Sequence, residues 1–549
     1  MAVGLLGSAL SGLQAFQSAL SVTGHNISNA NTEGYNRQRV ELVTRPASFS
    51  GGSYTGNGVK TESIERIFDQ FVTDQMRDTT SSSAQYDTFA SLSSRVSDLL
   101  GNSDAGLNAG LESFFNAVQD VATNPASIPA RQLLLSEADS LVGRFSNLNA
   151  RLDSLRDELN GGLVNAVEEI NGLTAAIAQT NKSIVDAGRG SGQMPNDLMD
   201  KRDQLINELS ELVAVRTVEQ DNGAVNVFAG TGQPLVTGFL DFPLGTQPNN
   251  FDAQQLDINV SVGGSSVAIT DNLSGGKLGA MLDFHDQVLE PTKNAMGRIA
   301  ITLASEFNRQ HMAGTDLDGN AGTNFFGLPA PHVATGALNS GSASVTAVHD
   351  NVNLDGLTTE DYVLGFDGAS WSLSRAGDGQ TVSMTGAGTS ANPFIADGMR
   401  IVTSGVANAG DRFEIQPTRP GAAGLSVQLS SARQITAGTS AAPGDNRNAL
   451  LLADLQTSMT MENGTATLQD AYGQLVGELG TRTRSAQLTA DAQSALLSQA
   501  KKSREQVSGV NLDEEAANLL RYQQAYQAVA RVITVADETF QSLLAAVGR

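Results

Sequence analysis

The chain contains no cysteine. Disulfides and thiolate metal sites are therefore excluded, and neither redox compartment is indicated. Positive charge is scarce: 34 Lys and Arg face 58 Asp and Glu, leaving a net charge of −24. A polyanion partner requires a basic face, so nucleic acid is not an expected partner. The acidic balance suits a soluble surface that repels non-specific contacts. No Lys or Arg precedes Arg37, so the start lacks the basic region of a cleavable secretion signal. The expectation is a cytoplasmic protein, or one exported by a route that reads no such signal. No apolar run approaches the roughly 20 residues of a membrane span, so no membrane association is expected. Aromatic residues are only 5% and charged residues only 17% of the chain. Ala, Ser, Gly, Asn and Gln fill the difference, a balance common in extended assemblies and unusual in a compact enzyme. With 549 residues, the chain is too long for one core, and several domains are expected.

What is present is concentrated at the two ends. From Asn511 onward, Leu519, Tyr522, Tyr526, Val529, Ile533, Ala536, Phe540, Leu543 and Val547 recur at alternating gaps of three and four. That is the a/d seam of a helix meant to pack along another helix. Asn511 and Glu514 form a capping-box-like pair, and Asp513, Glu514 and Glu515 put negative charge where the helix dipole favours it. The first thirty residues carry a matching seam: Ala2, Leu6, Ala9, Leu13, Phe16, Leu20, Thr23 and Ile27. Burying one large apolar side chain is worth roughly 1.5–3 kcal/mol, and an isolated helix of this length is marginal. The two ends must therefore pack on each other, on other copies, or on both.

Between them the pattern changes several times. His25 to Tyr35 is rich in Asn and Gly, the mark of a loop closing the first helix. Arg37 to Arg45 reads as a short strand. From Ile64 to Leu100 the spacing is helical, with the polar run Thr79 to Ser83 as a point of interruption. A second helix spans Leu107 to Val121. The longest begins near Pro129 with the seam Leu134, Ala138, Leu141, Phe145, Leu148, Leu152, Leu155 and Leu159, and Gly161-Gly162 as a kink site. Asn196 caps a shorter helix. The Asp221-Asn222-Gly223 turn joins two strands, and β character continues to about Ser274. Helix returns over Gly279 to Asn308. From about Pro329 to Gly438 period-2 runs recur, among them Tyr362–Phe366, Trp371–Leu373, Phe413–Ile415 and Leu425–Leu429. Asn448 to Ser508 is helical again, with Gly464 and Gly480 as soft points. The fold class is thus α+β and multidomain: a long helical bundle with coiled-coil terminal helices and inserted mainly-β domains. The expected division is 1–65 (assembly helix and loop), 66–212 (helical bundle, first half), 213–277 (small β region), 278–328 (helix and loop returning to the bundle), 329–445 (inserted β domain), 446–508 (helical bundle, second half) and 509–549 (terminal assembly helix).

Catalytic chemistry finds no foothold. The five histidines, His25, His285, His311, His332 and His349, match no zinc spacing and read as surface or satisfied core residues. There is no nucleophile elbow and no phosphate loop. Gly230-Thr-Gly232 reads as a turn. Asp316-Leu-Asp318-Gly319-Asn320 opens like a calcium loop, but Ala321 and Gly327 stand where such a loop needs Gly and Glu, so a solvated loop is expected. No cofactor, metal or catalytic residue is expected.

Ile27-Ser28-Asn29-Ala30-Asn31-Thr32-Glu33-Gly34-Tyr35, following a heptad helix, resembles the N-terminal signature of the bacterial flagellar rod, hook and hook-associated proteins. Val510 to Ala516, followed by Leu519-Leu520-Arg521-Tyr522-Gln523-Gln524-Ala525-Tyr526, resembles their C-terminal signature. Pro195 to Leu205, Leu282-Asp283-Phe284 through Phe307-Asn308, Asp361-Tyr362 through Trp371-Ser372, and Phe413 to Gly424 narrow the resemblance to the hook-associated protein 1 family, the first hook–filament junction proteins. The resemblance covers nearly the whole chain, most weakly 235–275 and 330–355. It implies a structural, non-enzymatic part of the flagellum that is extracellular and exported unfolded by the type III apparatus. It also implies a homo-oligomeric ring between the hook protein and the second hook–filament junction protein, and a cytoplasmic export chaperone holding the C-terminal helix. The terminal helices would be disordered in the free subunit and zip together on assembly. The expected assembly seam is Leu6, Leu13, Phe16, Leu20, Ile27, Leu519, Tyr522, Tyr526, Val529, Ile533, Phe540, Leu543 and Val547. The signature loop is Asn26, Asn29, Asn31, Thr32, Gly34 and Tyr35. Three rival readings remain: a hook or rod protein, an adhesin-like binding module in the 329–445 β domain, and a cell-wall hydrolase carried on an axial scaffold, ranked last.

Overall fold

A computed structural model of the chain describes residues 2–50, 53–102, 106–191, 193–262, 265–350 and 354–547. The chain opens with helix α1 (Ala2–Ser28) and closes with α11 (Leu512–Val547). After α1 a long hairpin is built from β1 (Gln38–Thr44), β2 (Ser48–Ser50), β3 (Ser53–Thr55) and β4 (Val59–Arg66), with β1 pairing β4 and β2 pairing β3, both antiparallel. Ile64 is therefore a strand residue, where helical spacing placed it in a helix. The helix that follows, α2 (Gln70–Leu100), starts at Asp69, whose carboxylate accepts from the Val72 amide at 3.1 Å. It runs unbroken through Thr79–Ser83, because Thr80 and Ser81 are small enough to be buried where other segments cross.

Helices α3 (Leu107–Thr123), α4 (Ile128–Ser191) and α5 (Asn196–Leu212) complete the first half of the body. α4 has 64 residues, about 96 Å of helix at 1.5 Å per residue. Its seam from Leu134 to Leu159 is buried throughout and continues through Leu163, Val167, Ile170, Ile177 and Ile184. Gly161-Gly162 does not interrupt it. A Cβ at Gly162 would stand 2.9 Å from the Met281 sulfur, so the glycine admits a close neighbour and marks no kink. Pro195, not Asn196, occupies the cap of α5, and Asn196 instead donates to the Ile64 carbonyl at 2.8 Å.

The β region that follows forms a four-stranded meander (residues 215–241) and a three-stranded sheet (244–268), each antiparallel. Its inward residues Val227, Ala229, Leu235, Val236, Ile258 and Val260 belong to the same core as α3, α4 and α5. α6 (Gly276–Phe284) passes through one π-helical turn, His285–Leu289, into α7 (Glu290–Met312). Phe307 on α7 meets Phe114, Phe325 and Phe326 at ring distances of 4.8–5.6 Å, tying α3 and α7 together.

Residues 332–416 have a core of their own, from Val345, Tyr362, Leu364, Leu373, Met399, Ile401, Phe413 and Ile415, touched from the body by Ile301. A five-stranded and a three-stranded sheet make it. The chain returns through α8 (Gly421–Gly424), whose neighbours 426–427 form only a two-residue strand, and α9 (Arg447–Asp454). A turn with positive φ at Glu462, Asn463 and Gly464 then breaks the second helical stretch. α10 (Leu468–Ser508) runs antiparallel to α2, with the Tyr472 hydroxyl donating to the Leu100 carbonyl at 2.7 Å.

The inserted β unit is seated on the body by Ile301, by the Asn294 side chain, which donates to the Thr359 carbonyl at 3.0 Å, and by the Arg419 guanidinium. Arg419 reaches Asp361 at 2.7 Å, Glu290 on α7 at 2.8 Å and Asp252 at 3.0 Å. Glu414 stands beside them. Burial, reinforced by Asp361, pushes its carboxyl up to about 7. A carboxyl whose folded pKa lies above its unfolded value favours folding while protonated. That contribution is lost as pH rises from the ordinary carboxylate range through about 7. E414Q keeps the shape and removes the titration. Its melting temperature relative to the wild type is therefore expected to rise between pH 5 and pH 8. Parallel pH profiles for the two proteins would refute this.

Candidate assembly site

α1 and α11 pack against each other in antiparallel fashion. A Cβ at Gly12 would meet Val529 at 3.6 Å, the Phe16 and Tyr522 rings lie 6.5 Å apart, and Asn26 faces Glu515. The single chain thus pairs both ends as helices, where the resemblance implied order only on assembly. Leu13, Phe16, Leu20 and Ile27 are half-buried, as are Leu519, Tyr522, Tyr526, Val529 and Ile533. Leu6 and Phe540 are each 45% exposed. The side chains of Leu543 and Val547 lie outside the described residues.

The fully buried residues of α1 are small ones on and beside the leucine seam: Ala9, Ser11, Gly12, Ala15, Ala19, Val22, Thr23 and Asn26. The cause is the hairpin, which packs on α1 beside α11. Ser11 accepts from the Val59 amide at 3.2 Å, and Ala19, Val22 and Thr23 line a crevice with Arg37–Val40 of the hairpin and Tyr522 of α11. Small residues sit where two neighbours converge, and the large ones flank them.

At the base of this pair the signature loop forms a polar hub. The Asn26 side chain is 1% exposed. Its Oδ1 accepts from the Tyr35 hydroxyl at 2.7 Å and the Gln38 amide at 3.0 Å. Its Nδ2 donates to the Gln38 carbonyl at 2.9 Å and to Glu515 at 3.1 Å. Arg37 grips Glu515 at 2.7 Å and Glu514 at 2.8 Å, and its amide donates to the Ser508 carbonyl at 2.8 Å. Asn36 donates to Asp200 on α5 from its amide at 3.0 Å and its side chain at 2.6 Å. Arg66 joins Asp200 and Asp203, and Arg77 on α2 also reaches Asp203. Arg504 on α10 donates to the Gly34 carbonyl at 3.0 Å and to Asn36 at 3.2 Å. Five helices therefore meet at one loop. Burial pushes Asp200 up, and it pushes Tyr35 up with help from Asp197, Asp200 and Glu515.

The other signature residues shape the loop. Asn29 donates to the His25 carbonyl at 3.0 Å and accepts from the Thr32 hydroxyl at 3.2 Å, closing α1. Gly34 adopts φ +82°, where a side chain would be strained and would crowd Gln204 at 3.3 Å. Asn31 is exposed. Sequence reasoning missed Arg37, Gln38, Arg66 and Arg504 altogether, and Asp200 and Glu515 were noticed only within motifs. The available signal was a set of buried-pattern carboxylates on α5 and α11 with arginines beside the loop.

Elsewhere the titratable groups are absorbed by structure. Asp316 accepts from the Asp318 and Asn320 amides, and Asp318 is held by Arg433. His311 donates from Nδ1 to the Thr323 carbonyl and accepts at Nε2 from the Thr436 amide, and burial lowers it to about 4. Among the described residues no cluster of His, Asp and Glu is arranged to hold a metal ion, and no helix is long and apolar enough to cross a membrane.

Four family models match the chain in series: flagella basal body rod protein over 6–36, the flagellar hook-associated protein FlgK helical domain over 93–326, the D2-like domain of flagellar hook-associated protein 1 over 335–417, and the C-terminal part of the flagellar basal body rod FlgEFG proteins over 503–546. None of these describes a catalytic family. Flagellar hook-associated protein 1 of Salmonella typhimurium is 32% identical over 551 residues, covering 98% of this chain and 99% of its own. That of Escherichia coli is 31% identical over 546 residues with the same coverage. The structure of the flagellar hook junction protein FlgK from Burkholderia pseudomallei superposes with a TM-score of 0.74 at 26% identity, covering 79% of this chain and all of that one. The two terminal segments, the helical domain and the β insertion each match a family model in order, and the chain belongs to the flagellar hook-associated protein 1 family.

Proposed function

We propose that this chain is a structural subunit of the hook–filament junction, assembled through its two terminal helices. The observation that carries this reading is the half-covered seam. α1 and α11 cover one another on one side only, while Leu5, Leu10, Leu512, Leu520, Val532 and Val535 remain exposed. An apolar stripe of that extent is stable in water only when neighbours cover it. Copies placed side by side around an axis supply such neighbours, forming a ring whose inner wall is helical. The hook protein lies on one side and the second hook–filament junction protein on the other.

The same stripe accounts for the remaining partners. Before assembly a cytoplasmic export chaperone covers the apolar face of α11. Passage through the flagellar type III channel is unfolded, and a chain without cysteine has no crosslink to hinder it. The subunit ends as an extracellular part of the flagellum. The hub fixes the direction in which the terminal pair leaves the body, so that every copy presents its seam alike.

Two measurements test this. Ile533→Asp places a charge in the seam far from the body. Subunits carrying it should fail to restore filaments to cells lacking the wild-type chain, while the melting temperature of the body is unchanged. Normal filament counts would sink the seam as the assembly element. Asn26→Ala strips hydrogen bonds from Glu515, Tyr35 and both Gln38 backbone groups. Leaving buried polar groups unmet costs about 2–3 kcal/mol here. Amide exchange near residues 22–38 and 511–522 should quicken about 30- to 150-fold while α4 is unaffected.

A further inference from the structure

α10 is apolar on two opposite sides. One stripe, Leu479, Thr483, Ala486 and Ala500, is buried. Half a turn away, Leu488 and Leu496 are each 52% exposed, with Ala492 and Ala495 exposed between them. Arg484 and Lys502 continue this outer face at its two ends, with one exposed acid, Asp491, between them. These two cations are exposed and enter no ion pair among the described residues. A helix carrying a second apolar stripe, bracketed by free positive charge, has the makings of an interface. The charge also says what covers it. Residues 482–504 hold five basic residues against one acidic, so the rest of the chain carries −28 for the total to reach −24. Any neighbouring copy therefore presents mainly negative surface. On α4, every exposed charge between Arg151 and Lys182 is acidic: Asp157 stands 3.6 Å from Arg156 and Glu158 is held by Arg95 of α2, while Glu168 and Glu169 enter no ion pair among the described residues. Gly161 and Gly172 lie on the same face, and a Cβ at either would meet nothing within 4 Å, so the floor there is low and open to a leucine.

We propose that the outer face of α10 docks a second copy of this chain, through the acidic outer face of that copy's α4. The proposal rests on the reading of the chain as a ring-forming junction subunit and assigns the lateral contact of its helical body. The leucines supply short-range burial, and the cations supply attraction that salt weakens.

A cysteine-free chain makes the test clean, because a single introduced thiol is the only one present. Ala495→Cys, labelled with a benzophenone maleimide and assembled onto hooks, should crosslink to residues 157–172 of another copy. Leu488→Asp with Leu496→Asp should lower incorporation at least about tenfold while the monomer melts as the wild type does, since both side chains are already half in water. Glu168→Lys with Glu169→Lys should weaken incorporation, and adding Arg484→Glu with Lys502→Glu should restore it. Crosslinks confined to other proteins, no crosslink in assembled rings, or undiminished incorporation of the Asp variant would each overturn the proposal and leave the junction reading standing. A wild-type chain that never caps hooks would overturn both.

Discussion

A helix pair whose seam is covered on one side only is the constraint from which the remaining architecture follows. α1 and α11 are the two ends of the polypeptide, and they lie antiparallel. The chain must therefore leave this pair and return to it at one place. It does so through β4 into α2 on the way out, and through α10 and residues 509–511 on the way back. Because α2 and α10 are themselves antiparallel, everything between them is nested: first the helices α3 to α7 with their β region, then the β unit with a core of its own. Successive insertion places the element with the fewest body contacts farthest from the ends. A long chain can thus contribute one slim helical pair to an assembly while displaying a separate β unit elsewhere.

The hub is costly in charge and specific in geometry. Asn26, Arg37, Asp200, Asp203, Arg66 and Arg77 are held largely out of water, and buried ion pairs of this kind add little net stability over apolar packing. What they add is register. The apolar stripes of α1 and α11 repeat, so a slip of one heptad would still bury leucines and alanines. It would separate Asn26 from Glu515 and leave Arg37 without Glu514, and the loss falls on groups that cannot reach water. Ending the seam in a polar lock converts a forgiving hydrophobic contact into a single alignment. Through Asn36 to Asp200 and Arg504 to Gly34, that alignment is transmitted to the body.

How far the sequence announced this depends on the kind of information each element carries. The terminal seams, the long α4 stripe from Leu134 to Leu159 and the Asp221-Asn222-Gly223 hairpin were legible because each is local and periodic. The start of α2 was misread because Ile64 and Ile67 fall at helical spacing while the backbone there is extended. The small Ala15 and Ala19 beside the α1 seam left no such trace, because two converging neighbours demand small residues and only the large side chains advertise a seam. Gly161-Gly162 was taken for a kink because a close approach by Met281 is a tertiary fact with no local trace. The hub was the least legible feature of all. Asn26 and Glu515 are nearly the whole chain apart, and nothing in either neighbourhood marks them as partners. The signature motif indicated that the loop mattered without indicating why.

On the proposed reading, an acidic subunit that stacks on its own copies faces a conflict between range and strength. Repulsion between surfaces that each carry a large negative charge acts over roughly 8–10 Å at physiological salt. Apolar contact acts only once side chains touch. Copies free in solution are therefore kept apart before their seams can meet, which suppresses assembly in the wrong place. Aligned copies overcome the repulsion only where apolar stripes and local positive charge coincide. Arg484 and Lys502 stand beside exposed leucines on α10, and α4 carries exposed Glu168 and Glu169. If the proposed contact holds, a self-repelling subunit has one lateral face on which approach is favourable, and that face is direction-dependent, since α10 is matched with α4 and not with itself. A contact of that heterologous kind closes into a ring when the rotation between copies allows it, and in the proposed contact the head-to-tail order comes from pairing two unlike helices.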